Sequence, residues 1–579
     1  MLSALPSDVI RDIARWLPQN ELLSFAFTCK QVYGAVHDQI YQSVTIDSTR
    51  RVFNDEIPTK DPSGLVDITE SVYEPVVIRS LFALKRFFKT LIAHPEDARH
   101  VHVLVARDEF PDIPEYELYQ LLTHVFPLLS NLHILNWYST NCPLHADLLA
   151  LLPYPQYLHS LCGNFQNIGS GLPKNDFFTL RHVDFSNSGS VGSIQQIDPA
   201  RFPNVESLTL SRTVSTNRLL FSSQLRECCE SSVDSRTENM VSILGSGKSP
   251  KYISTLFTPS LQIPLSLRSL VLRDICLTME DARILLHNID FSRLEHLSLE
   301  NCFEILFENE TLRANQVQIT RRSPPPLTFL DVLSDDFQNL SSLNIGLFNE
   351  MCYNSATFKA ISGLRGLTKL SIHVKNFCRN GPVSLAPLIE SFQSHKDTLQ
   401  YLSICSDVVE QFASPFCPKK RNRYELDSIV GLTNLIHLKI VRIPVAYSQI
   451  NELPQILSPL KNIEIIQLLI TDFESVASSA SCNGCPNSVT YALCNTNSLI
   501  AQEYFNCANS FTTIMEVEKN QHYHQFASNY RDIFQSLSYL RFDMNNQSMV
   551  FGCRNPRNIE LKDQTYVEKF DSLVNQHLD

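Results

Sequence analysis

The sequence predicts an α/β protein: a small module of three helices, then an irregular repeat solenoid built on a curved parallel sheet. Three observations predict it. The first 45 or so residues carry apolar stripes at helical spacing between clear start and stop signals. The remainder repeats one short apolar phrase about a dozen times. And 579 residues are too many for one compact core, so the chain is either multidomain or a repeat array.

The helices come first. Val9, Ile10, Ile13 and Leu17 form one stripe, opened by Pro6, Ser7 and Asp8 and closed by Pro18. Asn20 suits the cap of a second helix carrying Leu22, Leu23, Ala26 and Phe27. Thr28 and Gln31 have capping-box spacing for a third, with Val32, Val36 and Ile40. A unit this short buries too little to stand without something to lean on.

The run Leu5-Pro6-Ser7-Asp8-Val9-Ile10, then Ile13 and Trp16-Leu17-Pro18, then Asn20-Glu21-Leu22-Leu23-Ser24-Phe25-Ala26-Phe27-Thr28-Cys29-Lys30 resembles the F-box. That pattern has a Leu-Pro start, an acidic residue, a first apolar helix, a Leu-Leu pair and a Cys-Lys or Ser-Lys before the third helix. The sequence departs from it at Tyr33, where many members have Trp, and at Asp8, where Glu is commoner. The resemblance implies docking onto a Skp-family adaptor and, through it, association with cullin and RING subunits. Carried over by position, it implies adaptor-facing roles for Leu5, Pro6, Val9, Ile13, Leu17, Leu22 and Leu23.

The repeated phrase is an apolar residue, two variable residues, Leu, one variable residue and an apolar residue, as in Leu294-Glu-His-Leu297-Ser-Leu299. Other copies start at Leu132, Leu180, Val205, Leu267, Leu340, Leu367, Leu399, Leu435, Ile463 and Leu537, and a weaker one runs through Val101 and Val103. Several recur at about 25 to 28 residues, the period of a leucine-rich repeat. Asn precedes the first position in Asn131-Leu132, Asn204-Val205, Asn434-Leu435 and Asn462-Ile463. One such strand cannot bury its leucines alone, but stacked copies share a continuous core. Longer intervals imply degenerate copies or insertions, the candidates being 211–262, 303–338 and 471–536. The expected organisation is an F-box at 1–46, a linker and cap at 47–97, and a solenoid at 98–579.

Side chains alternate along a strand, so the variable positions of each phrase face away from the core, onto the concave side. They nominate Tyr138, His182, Asp184, Arg273, His296, Glu300, Lys369, His373, Tyr401, His437, Lys439, Tyr539, Arg541 and Asp543 as contacts for a protein target. Both charge signs, aromatics and histidines suit a protein or peptide better than a small molecule.

Other chemistries find little support. A net charge of −12 argues against a phosphate-backbone surface, so no nucleic-acid partner is expected. No apolar run reaches membrane-spanning length, so no membrane partner is expected either. Sixteen scattered cysteines read as reduced thiols in cytoplasm or nucleus. Gly245-Ser-Gly247-Lys248-Ser249 resembles the end of a phosphate-binding loop, but Ser242 stands where its first glycine belongs. Cys482 and Cys485, with Cys494, Cys507, His522 and His524 downstream, open like a zinc site and then match no standard finger. Lys419-Lys420-Arg421-Asn422-Arg423 suits a nuclear import signal, a phosphate seat or a solvated loop. Ser323-Pro324-Pro325-Pro326 suits a phosphorylation site or a stiff linker. With no nucleophile elbow and no His-Glu-x-x-His, neither cofactor nor metal is expected. The F-box resemblance implies the role of a non-catalytic substrate receptor of a ubiquitin ligase. A cullin-independent scaffold or inhibitor that binds the Skp adaptor is the alternative.

Overall fold

The computed structural model describes residues 5–48, 76–107, 110–166, 177–187, 202–212, 264–304, 328–349, 355–374, 385–406, 426–445, 449–470, 523–544, 547–554 and 559–562, except positions 18, 140 and 274. Ile253, Phe257, Phe570 and Val574 are described singly. The chain forms two compact units, 1–340 with 346–350, and 341–345 with 351–579.

The first unit opens with α1 (Ser7–Ala14), α2 (Gln19–Ala26) and α3 (Lys30–Gln42). They close around Ile10, Ala14, Leu22, Ala26, Val32, Ala35, Val36 and Ile40. This core is too small to hold three helices by itself, and the module does lean on a neighbour. The chain passes from α3 directly into β1 (Ser43–Ile46), which pairs in parallel with β2 (Val76–Ile78) and β3 (Val103–Ala106). His37 of α3 meets Asp97 at 2.9 Å.

From β3 the parallel ladder runs through β4 (Ile134–Trp137), β6 (Ser160–Gln166), β7 (His182–Asn187), β8 (Ser207–Arg212), β9 (Ser269–Arg273) and β11 (His296–Glu304), with two-residue β5 (Leu144–His145) and β10 (Cys276–Leu277) alongside. Helical segments such as Glu115–Val125 and Met279–Asn288 connect the strands, as parallel pairing requires. The phrase residues form the core: Leu132, Leu135 and Trp137, then Leu180, Val183 and Phe185, then Leu267, Leu270 and Leu272 are all buried. Each such side chain contributes about 1.5–3 kcal/mol by leaving water, which only stacking achieves.

The second unit repeats the plan through the first half of β12 (Ser342–Asn349, residues 346–349 of which belong to the first unit), β13 (Lys369–Val374), β14 (Tyr401–Ser406), β15 (Ile440–Val445), β16 (Ile465–Ile470) and β17 (Tyr539–Met544), all parallel. Two antiparallel strands, β18 (Gln547–Gly552) and β19 (Glu560–Leu561), then follow β17. No phrase announces them, because an antiparallel return needs only a short turn and covers the last parallel strand without a further repeat. The class is α/β with a long, mostly parallel sheet, the arrangement expected of a leucine-rich-repeat solenoid.

The structure corrects the phrase reading in three places. The long interval after Leu135 hides a full copy, Leu158-His-Ser-Leu161-Cys-Gly163, whose last apolar position is glycine. Leu104 pairs with Leu135, so the weaker copy is Val101, Leu104 and Ala106, with Leu104 and not Val103 among its core positions. And Val441, not Leu438, aligns with Leu402 and Ile466. In Leu435-Ile-His-Leu438-Lys-Ile440-Val441-Arg-Ile443 two copies overlap. The segment rich in β-branched Ile440, Val441, Ile443 and Val445 takes the strand, because such residues fit a pleated, half-buried surface.

The recurrent Asn has a structural role as well. Nδ2 of Asn131, Asn204, Asn339 and Asn462 donates to the carbonyls of Arg99, Phe178, Ser292 and Ile436, at 2.6–2.9 Å. Each bond ties one repeat's turn to the one before it. Asn434 precedes the wrong leucine for this pattern.

Candidate docking surfaces

α1 is amphipathic twice over. Ile10 and Ala14 point into the module core, while Val9 and Ile13 are 42% and 37% exposed. Trp16, one further turn along the same stripe, is 86% exposed. Phe27 and Tyr33 are exposed too. Exposed apolar side chains gathered on so small a module form an unspent hydrophobic surface of the kind a protein partner covers.

Of the seven residues nominated for an adaptor, Pro6, Val9 and Ile13 are exposed, and Leu5, Leu17 and Leu23 are partly buried against the core. Leu22 is 1% exposed and belongs to the core itself. Trp16 and Phe27 were not nominated. The helical phase of Trp16 relative to Val9 and Ile13 was the available signal.

The inner face of the first unit carries a polar network. Arg273 Nε donates to Glu300 Oε2 at 2.5 Å, and Ser298 Oγ donates to Glu300 Oε1 at 3.0 Å. The Arg273 guanidinium also lies 4.0 Å from Asp184. Burial works against its charge, but the bond to Glu300 and the fields of Glu300 and Asp184 outweigh that, so its pKa is raised. Tyr138 stands on the Asp184 side. Burial, then the thiol of Cys162 and the carboxylate of Asp184, push its phenol well above the ordinary value. Tyr138, Asp184, Arg273 and Glu300, nominated from four different phrases, are thus brought together. His182 and His296 lie in one register row, Ser160, His182, Ser207, Ser269, His296, with two serines between them.

In the second unit, Lys369 and His373 lie on β13, and Arg541 and Asp543 pair at 2.8 Å on β17. Gln467 Nε2 and Ser548 Oγ also donate to Asp543. Tyr401 and Tyr539 are in one row with Ile440 and Ile465. His437 and Lys439 are not on the face: both precede the strand, and the Lys439 carbonyl accepts the Glu464 and Ile465 amides. The shifted register is the reason.

The phosphate-loop-like run, the basic run 419–423, Ser323–Pro326, and Cys482, Cys485, Cys494, Cys507 and His522 lie outside the described residues. His524 is described, its Nε2 3.0 Å from the Ile559 carbonyl. Among the described residues no cluster of three His, Cys, Asp or Glu side chains suits a metal, and no helix is long and apolar enough to cross a membrane.

Residues 2–41 match the family model described as F-box domain. No curated protein matches the chain. Among solved structures, an internalin from Listeria monocytogenes shares 14% identity with a TM-score of 0.26, covering 69% of this chain and 92% of that one. A superposition that loose bears on neither mechanism nor partner.

Proposed function

We propose that this chain, which carries an F-box domain at its N-terminus, is the substrate-recognition subunit of a Skp–cullin–F-box ubiquitin ligase. F-box domains bind Skp-type adaptors, and the exposed Val9, Ile13 and Trp16 stripe supplies the surface for that contact.

The observation that carries the receptor reading is the way the module is anchored. α3 runs without a linker into β1, β1 pairs with β3, and His37 is tied to Asp97. An adaptor on α1 is thereby held at a fixed position relative to the polar inner face of the same unit. A target bound to Tyr138, Asp184, Arg273 and Glu300 has its lysines kept at high effective concentration near a charged ubiquitin carrier. The chemistry belongs to the other subunits.

The test is to purify the tagged full chain from its native cell and quantify Skp adaptor and cullin by mass spectrometry, with a Val9→Asp, Ile13→Asp variant as control. Both positions are exposed, so folding is spared. Adaptor and cullin are expected with the unaltered chain and absent from the variant. Adaptor without cullin sinks the ligase reading in favour of a scaffold, and neither subunit sinks the docking surface itself.

A further inference from the structure

The amide-to-carbonyl bonds just before each strand define one further row, along the rim where the strands of the first unit begin. The His133 amide donates to the His102 carbonyl at 2.8 Å, and the His159 amide to the His133 carbonyl at 2.7 Å. The same link then joins Arg181 to His159, Glu206 to Arg181, Arg268 to Glu206 and Glu295 to Arg268. The two halves of this row differ in kind. The later half alternates in sign and satisfies itself: Arg181 lies 3.8 Å from Glu206, and Arg268 lies 4.0 Å from Glu206 and 2.9 Å from Glu295. The earlier half holds three histidines and no carboxylate.

The backbone ladder sets those imidazoles side by side. Ring centres are 5.1 Å apart for His102 and His133 and 5.4 Å apart for His133 and His159. His159 is exposed and the other two are half-buried. Tyr157, 45% exposed, stands edge-on to His133, and Tyr154, 48% exposed, packs against Tyr157 at 5.5 Å. Exposed tyrosines beside polar groups are the side chains that anchor protein interfaces.

Among the described residues, the carboxylates around this half-row are already matched. Asp38 of α3 acts on His102 but lies 3.7 Å from Arg11. Asp97 is tied to His37, whose ring meets that of His100. Beyond His159, Glu206 is shared by Arg181 and Arg268. Arg99, in the turn that leads to His102, is exposed. On a chain of net charge −12, each proton taken up by these histidines therefore adds positive charge that no neighbouring carboxylate is placed to cancel. Burial, then His133 and His100, hold the His102 pKa below its ordinary value, with Asp38 opposing. An anion laid across two rings relieves that mutual repulsion. A protonated imidazole offers two N–H donors and a carboxylate two acceptor oxygens, so one carboxylate can bridge neighbouring rings.

We propose that His102, His133 and His159, with Tyr154 and Tyr157, form a docking surface for an acidic protein segment, whose carboxylates bridge neighbouring imidazoles and draw protons onto them. Binding there is coupled to proton uptake and tightens as the pH falls through the imidazole range. Three histidines without clustered Lys and Arg suit carboxylates better than a nucleic-acid backbone. The surface is separate from the inner face and stands whether or not the chain recruits a cullin.

The test titrates a labelled peptide of ten glutamates with the full chain, unaltered and as His133→Gln, His159→Gln, reading fluorescence anisotropy at pH 7.5 and 6.0. Glutamate, with a pKa of about 4.3, stays ionised at both. The unaltered chain is expected to bind at least about tenfold more tightly at pH 6.0, and the variant to show no such gain. Calorimetric titration of the unaltered chain at pH 6.5, in two buffers of different ionisation enthalpy, is expected to show net proton uptake, a readout that does not depend on the variant folding. No binding at either pH, a pH-independent affinity, absence of proton uptake, or the same gain in the variant overturns the proposal. Tighter binding of a ten-nucleotide single strand than of the glutamate peptide overturns it too, by making the surface one for nucleic acid.

Discussion

Gly163 of β6 pairs with Trp137 of β4, and a Cβ added at Gly163 would lie 1.9 Å from the Trp137 carbonyl oxygen. Gly163 also has φ +128°, a conformation that side-chain-bearing residues rarely adopt. The Trp137 indole is fully buried, with Nε1 donating to the Cys142 carbonyl at 2.7 Å. Gly163→Ala is expected to cost about 2–4 kcal/mol by combining backbone strain with a clash, read as a lower midpoint in urea. A change below about 0.5 kcal/mol would mean that the two strands separate more easily than the register implies.

Trp16 and Leu22 divide surface from core within the helical module. Trp16→Ala is expected to weaken adaptor binding at least tenfold while leaving the melting temperature unchanged, since the side chain is 86% exposed. Leu22→Ala removes a fully buried side chain and is expected to cost about 2–4 kcal/mol of stability. Calorimetry combined with adaptor titration separates the two effects. A Trp16 variant that binds normally would move the docking surface elsewhere.

Glu300→Ala leaves the Arg273 guanidinium beside Asp184 without its closer partner. A loss of about 1–2 kcal/mol is expected, and it should shrink when Arg273→Ala is added, since the pair is only partly exposed. Strict additivity in the double-mutant cycle would show that the two side chains do not act together.

The protein is expected to lose stability as the pH falls below the ordinary imidazole value of 6.5. Burial holds the His395 pKa below that value, and the Nε2 contact with the Ile361 carbonyl opposes the shift only in part. For His102, burial leads and the neighbouring His133 and His100 add to it. In both cases the unfolded chain binds the proton first, so stability rises with pH from the folded pKa up to 6.5 and is level above it. Urea midpoints at pH 7.5 and 5.5 should differ in that sense, with a smaller difference in His395→Gln. A higher midpoint at the lower pH would contradict the assignment.

Asn204→Ala and Asn462→Ala each remove one amide-to-carbonyl tie between successive turns. Each is expected to cost about 1 kcal/mol, and the pair should add because the sites share no partner. A neutral Asn204 variant would reduce the recurrent Asn to a turn preference.

The sequence by itself determined the helical module and the repeated strands, because both rest on local rules: apolar stripes at helical spacing and a phrase whose three apolar positions are buried wherever it recurs. The caps read at Asn20 and Thr28 were not realised, since Asn20 lies within α2 and α3 starts after Cys29 without a side-chain cap. Thr28 and Gln31 bond to the Phe25 and Leu5 carbonyls instead. The sequence determined most of the inner face as well, since alternation along a strand is a property of the backbone. Three kinds of feature were decided only by the tertiary structure. The strand at Leu161 was hidden because a neighbouring tryptophan carbonyl leaves room only for glycine at its last core position, a fact about another strand. The choice between Leu438 and Val441 as the central residue depended on which overlapping copy aligned with Leu402 and Ile466. And no local rule places Phe570 and Val574 on Ile440 and Ile465, about a hundred residues earlier in the chain. Periodicity marks which side chains leave the core, whereas what then covers them is settled by contacts between distant parts of the chain.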